Sequence, residues 1–175
     1  MIKYIKILLL LRILIWPWKT LIISRGIPST GNSTLAKQFP FPYTDTDMYI
    51  EGDEEYHMMF QRAYKKHQRD LTKLFKSKRT FLVPRVLPIW SSCKDYFKLA
   101  REWNYRIIVI DLFNFQTTEE AVKTNQNDCT KEIIESFQKD WKNWSSIQQF
   151  ALNFPPITYI SLLRERNKYV RHPHL

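Results

Sequence analysis

Glycine is almost absent from this chain of 175 residues, with three in all. A fold with so few glycines spends them where the backbone needs a conformation that other residues resist. Two of them, Gly26 and Gly31, share one short stretch, and Gly52 follows an aspartate-bearing one. Cysteine is as sparse. Cys93 and Cys129 are too few for a disulfide framework and lack metal-ligand spacing, so free thiols in a reducing compartment are expected. Acid is missing from residues 1–44, which hold six Lys or Arg. Residues 45–140 hold sixteen of each sign, and residues 141–175 hold five basic residues and one acid. The net charge of +10 therefore sits at the two ends. That distribution suits contact with a membrane surface, RNA or an acidic partner.

A long uninterrupted apolar run is also lacking. The opening stretch MIKYIKILLLLRILIWPWK is strongly apolar, but Lys3, Lys6 and Arg12 break it. Its clean run, residues 7–11, is too short to span a bilayer. No small-residue cleavage site of a secretory signal is evident. Scattered positive charge without acid resembles a mitochondrial targeting segment, although serine is absent. Residues 1–19 are read as a docking segment laid on a partner protein or a membrane surface, ended by Trp16-Pro17-Trp18.

What is present reads as strands alternating with helices. Strands are expected at 20–24, 79–83 (stopped by Pro84) and 105–113. Tyr43 marks a short strand, and the last residues form a strand or a helix. Helices are expected at 33–39, 54–77, 90–103 (capped by Ser91 or Ser92), 118–125 and 130–144 (capped by Thr130). In the longest, Tyr56, Met59, Phe60, Ala63, Tyr64, His67, Leu71 and Leu74 recur at helical spacing. The class is α/β with a mainly parallel sheet. A domain over 20–144 is then flanked by the N-terminal segment and a basic C-terminal extension, 145–175.

The stretch GIPSTGNS, residues 26–33, follows an apolar strand and precedes a helix. It has the spacing of a phosphate-binding loop, G-x-x-x-x-G-K-[ST], with Asn32 in the lysine's place. Backbone N–H groups of such a loop can wrap an anion, and Ser33 can hold Mg²⁺ through its hydroxyl. The missing lysine is the group that follows charge into the transition state of phosphoryl transfer.

Three stretches in order, LIISRGIPSTGNSTLAKQF, TDTDMY and LAREWNYRIIVIDLF, resemble the P-loop ATPase/kinase family related to the polynucleotide 5′-kinase domain and the NEDD4-binding protein 2-like proteins. The resemblance spans residues 20–144 and implies a P-loop kinase-like fold. Its loop reads R-G-x-P-G-S-G-K-[ST]-T. Gly26, Pro28, Gly31, Ser33 and Thr34 match it, and Asn32 departs. The resemblance implies nucleotide phosphates and Mg²⁺ at Gly26, Gly31, Asn32, Ser33 and Thr34, with ATP and Mg²⁺ the ligands if any is held. Asp47 falls on the first aspartate of the family's D-D-[YF] motif, the base toward an acceptor hydroxyl, and Met48 replaces the second. The family's D-N-T-N strand end maps onto Pro84, Arg85, Val86 and Leu87. Its arginine-bearing lid maps onto KTNQNDC, where Lys123 and Asn125 keep some of its character.

Other candidates are weaker. His57 and His67 lie ten apart on the long helix, which is not ligand spacing, and read as surface or core residues. Trp141 and Trp144 read as packing. Arg164, Arg166, Lys168 and Arg171 form a basic strip, and RHPHL reads as a frayed tail. The functional expectation is a structural accessory subunit of a larger mitochondrial assembly: a respiratory-chain or ATP synthase complex, or a mitochondrial ribosome. No metal site besides Mg²⁺ is expected. The alternative is an active ATP-dependent kinase of a nucleic-acid end or small hydroxyl substrate, with Asp47 as its base.

Overall fold

The computed structural model describes residues 19–52, 55–77, 79–87, 90–113, 118–124, 130–142, 157–165 and 168–171. An inner strand of its sheet is β1 (Thr20–Arg25), in which all six residues are buried. The Leu-Ile-Ile run suits a strand covered on both faces. Parallel strands flank it, β2 (Phe81–Arg85) on one side and β3 (Arg106–Phe113) on the other. β3 pairs in parallel with β4 (Ile157–Glu165), and β5 (Lys168–Arg171) returns antiparallel, giving the order β2-β1-β3-β4-β5. The α/β class with a mainly parallel sheet is the one that forms. The sheet also runs on into the stretch set apart as an extension, because β4 and β5 lie beyond residue 144.

Period-two alternation along β1 divides the core. Leu21 and Ile23 join Phe81, Val83, Ile107 and Val109 on one face. Helices α2 (Tyr56–Lys76) and α3 (Trp90–Glu102) cover that face through Leu71, Phe75, Phe97 and Ala100. Ile22 joins Leu82, Ile108 and Ile110 on the other, where α1 (Asn32–Lys37) brings Leu35 and Ala36. In α2 the buried positions are Ala63, His67, Leu71 and Phe75, one every four residues. Tyr64, expected in the apolar stripe, is 39% exposed at its rim.

Two expected boundaries move. Pro84 does not stop β2, which continues to Arg85. Leu82 donates its N–H outward to Pro42 O, away from β1, and Pro84, two residues on, has its nitrogen on the same outer side. No ladder bond is therefore lost to the missing donor. Ser91 and Ser92 lie inside α3, which begins at Trp90, rather than capping it. α3 ends instead on Asn104, in the left-handed region at φ 55°, with Tyr105 N–H returning to Ala100 O at 2.7 Å. Helices α4 (Thr118–Thr124) and α5 (Lys131–Lys142) follow. Residues 1–18, Asn125, Cys129, Trp144, Arg166 and 172–175 lie outside the described residues.

Candidate nucleotide site at the carboxyl edge of the sheet

The loop leaves β1 at Gly26 and enters α1 through Gly31, which caps the helix at φ 90°, ψ 27°. A side chain at Gly26 would not fit, since a Cβ there would lie 2.0 Å from Thr30 Oγ1. Ser29 stands where the family loop has glycine, and its φ is 70°. This left-handed conformation costs a non-glycine residue about 1–2 kcal/mol. Ser29 Oγ donates to Ala121 O at 3.0 Å, tying the loop to α4.

The loop is closed from within. Thr30 donates to Ile27 O twice, through N–H at 3.2 Å and Oγ1 at 2.8 Å. Asn32 turns its amide inward, with Nδ2 3.3 Å from Gly26 O and 3.4 Å from Thr30 Oγ1. Its Oδ1 is buried with no hydrogen-bond partner. A neutral amide, and an acceptor oxygen beside it, thus occupy the lysine's position. α1 has only six residues, so the dipole it aims at the loop is small.

Ser33 Oγ donates to Asp45 Oδ2 at 2.9 Å. This hydroxyl–carboxylate pair is a donor set suited to a hard cation such as Mg²⁺. Asp45 is buried at the start of a single 3₁₀ turn, Thr46–Tyr49, and its Oδ1 accepts from Asp47 N–H at 3.4 Å. Burial raises its pKa first and Asp47 adds to the rise, while Ser33, the Asp47 N–H and Arg85 oppose it. Asp47 itself is exposed, and Thr34 is exposed on α1. The carboxylate brought to the loop is therefore Asp45, two residues before the one the motif alignment selects. The sequence does signal it, as the first acid of TDTD.

The neighbours of Asp45 are equally tied. Thr44 Oγ1 meets His67 Nδ1 at 3.1 Å and Tyr49 Oη at 3.3 Å. Thr46 Oγ1 accepts from Arg85 Nη1. His67 Nε2 lies 3.1 Å from Tyr96 Oη, and Tyr49 Oη donates to Asp70 Oδ2 at 2.6 Å. Three successive buried polar residues thus connect the loop, β2 and α2. His67 belongs to the core, while His57 is exposed and bonded to Gln61 at 2.7 Å.

At the strand ends, register aligns Arg25 of β1 with Arg85 of β2 and Asp111 of β3. Arg25 is fully buried, and its Nη2 lies 3.3 Å from Asp111 Oδ2. Asp111, two residues before the end of β3, was legible only as part of that apolar strand. Cys93 is a free, buried thiol pushed up to about 12 by burial, and therefore unreactive. Among the described residues no three His, Cys, Asp or Glu gather as a metal site. Nor is any described helix long and apolar enough to cross a membrane.

No family model and no curated protein matches the chain. Solved structures do. The AvrRxo1-ORF1:AvrRxo1-ORF2 complex with sulphate ions is similar at a TM-score of 0.69 and 12% identity, over 88% of this chain and 57% of that one. A PezAT toxin–antitoxin structure from Streptococcus pneumoniae is similar at 0.63 and 14%, over 96% and 79%. A candidate kinase from Chloroflexus aurantiacus is similar at 0.53 and 14%, over 82% and 85%. The fold is P-loop kinase-like. At these identities the likeness shows the fold alone, and the chain spans little over half of the first of these structures. In that fold the loop at 26–31 lies at the carboxyl edge of a parallel sheet, where α/β proteins take their ligands. Of the site expected from sequence, Gly26, Gly31, Asn32 and Ser33 come together there, joined by Asp45. Lys123 is exposed on α4, two residues after Ala121, to whose carbonyl Ser29 is tied.

Proposed function

We propose that this chain is a P-loop kinase-like domain that has given up phosphoryl transfer and serves as an accessory subunit of a larger, mitochondrial assembly. One observation carries the loss of transfer: the Asn32 amide sits on Gly26 O and Thr30 Oγ1, where the family motif has lysine. Transfer depends on charge that stabilises the phosphates as they separate, and an amide supplies none. The basic, acid-free segment 1–19 supports a docking role and a mitochondrial setting. The two-component complexes in which similar folds were solved support a protein partner.

The Ser33–Asp45 pair favours a second reading, a working kinase. Ser33 and Asp45 would hold Mg²⁺, which when bound neutralises phosphate charge, and the backbone of 26–31 would meet the phosphates. Asp47 would then take the acceptor proton.

Thermal melting with Mg²⁺ and ATP separates the two. We expect little shift for the natural chain. Asn32→Lys, by restoring a charge-assisted contact, should add a nucleotide-dependent shift of about 4 °C. ATP-dependent transfer by the natural chain, abolished by Asp45→Ala or Asp47→Ala, would overturn the pseudo-kinase reading.

A further inference from the structure

Acids and bases cancel over residues 45–140, but they do not mix evenly in space. α2 buries Ala63, His67, Leu71 and Phe75 on its inner side. At 3.6 residues per turn, Lys65, Lys66, Arg69, Lys73 and Lys76 fall on the opposite side, within an arc of about 100° and along roughly 17 Å of helix. All five are exposed, and Arg62 and Arg79, also exposed, extend the row at either end. Among the described residues, Lys73 alone of the five meets a carboxylate, Asp70 at 2.7 Å, and Asp70 also accepts from Tyr49. Lys65 and Arg69, and Arg69 and Lys73, are like charges four residues apart, a spacing that weakens a helix. α3, over the same face of the sheet, carries the ordinary mixture, with exposed Lys94, Lys98 and Arg101 beside exposed Asp95 and Glu102.

A row of one sign calls for a polyanion, and the make-up of the row selects which. Lysine predominates, and lysine is depleted at the centres of protein–protein interfaces, whose anchors are aromatic. The arc holds no apolar residue beyond Met58 in its first turn, and the apolar side of α2 faces the core, so α2 has little to sink into lipid. Tyr64 lies toward α3 and stacks on Phe60 at 6.5 Å, so unpaired bases meet no row of aromatic faces. Cations about 5 Å apart along a straight rod suit the phosphates of a duplex. With α3 on one flank and the 3₁₀ turn on the other, α2 is not presented to a B-form major groove as a free helix would be. It can lie along the wide, shallow minor groove of an A-form duplex, where phosphates and 2′-hydroxyls are the contacts. We propose that the outer face of α2 binds double-stranded RNA through its phosphate backbone, without reading sequence. The surface stands apart from the phosphate loop and needs no docking by the N-terminal segment.

The test follows the fluorescence anisotropy of a labelled RNA duplex of about 20 base pairs, titrated with the full chain over a series of salt concentrations. A dissociation constant on the order of 10 μM in about 0.1 M salt, weakening steeply as salt rises, is expected. Lys65→Gln/Lys66→Gln/Arg69→Gln should weaken binding at least about tenfold and lower the logarithmic salt slope by about 3. Lys94→Gln/Lys98→Gln/Arg101→Gln removes the same charge from α3 and should weaken it less than about threefold. Both triples replace exposed side chains, so the fold is kept. Equal losses in the two triples would reduce the effect to net charge and overturn the α2 face. No saturable binding up to about 100 μM protein would overturn it as well. Tighter binding of phosphatidylserine vesicles, lost in the α2 triple, would make the face a lipid surface instead. Equal binding of a DNA duplex, or of single-stranded RNA, would overturn the choice of double-stranded RNA.

Discussion

His67 is fully buried, yet both ring nitrogens meet hydroxyl groups, Thr44 Oγ1 on one side and Tyr96 Oη on the other. A neutral ring can donate to one and accept from the other. Burial, followed by the charge of Arg85, lowers its pKa to about 4, against a weaker opposing pull from Asp70. The unfolded chain therefore takes up a proton between pH 6.5 and about 4 that the folded chain refuses. Stability from this residue is complete above pH 6.5 and is lost as pH falls toward 4, by roughly 3 kcal/mol. Asp45 has the opposite sign: its raised carboxyl favours the folded state as pH falls, so the net loss is smaller. We expect urea unfolding free energies to decline over this window, and His67→Gln to flatten the decline. An unchanged slope in that variant would refute the assignment. Ser29 shows a different balance at the same scale. Its left-handed backbone is costly, while its bond to Ala121 O returns part of that cost by fixing the loop.

Among the elements, α2 is held by one aromatic junction. Phase and spacing put Phe75 at its last buried turn, where the ring meets Phe81 and Tyr105 edge-on, both at 5.0 Å. Tyr105 Oη also donates to Phe75 O at 3.1 Å, so α2, β2 and the entry to β3 share one contact. Phe75→Ala should cost about 3–5 kcal/mol, read as a lowered denaturation midpoint at unchanged m-value. Most of this architecture was legible in the sequence. β1 and β3 announce themselves as apolar runs, and α2 by its period. Phe75 escaped because the stripe was read along Leu71 and Leu74, and one residue in phase decides which side faces the sheet. Pro84 misled because proline is judged by the donor it lacks, and here that donor would have pointed away from β1. The site was half legible. The glycines and Ser33 are fixed by spacing along the chain. Asp45 over Asp47 is decided by a 3₁₀ turn that buries one aspartate and exposes the other, which no linear motif encodes.

At the scale of the whole molecule, the sheet draws its strands from the neutral middle and from both basic ends of the chain. The neutral middle, residues 45–140, supplies β2, β3 and the helices from α2 onward, while β1 and α1 come from the basic first 44 residues and β4 and β5 from the basic last stretch. If those stretches dock, the native protein should sediment with a much larger particle in a gently solubilised extract. Migration near 21.2 kDa would remove the accessory-subunit reading. The sheet's two borders carry a last consequence. Beside β2, the only regular pairing is the bridge from Tyr43 to Leu82 among the described residues, and Pro40 and Pro42 precede it without N–H groups to offer. On the far side β5 is four residues long and carries Lys168 and Arg171. Neither border gives a neighbouring molecule a long, neutral ladder to extend. The chain is thereby protected from polymerising strand to strand with its own copies.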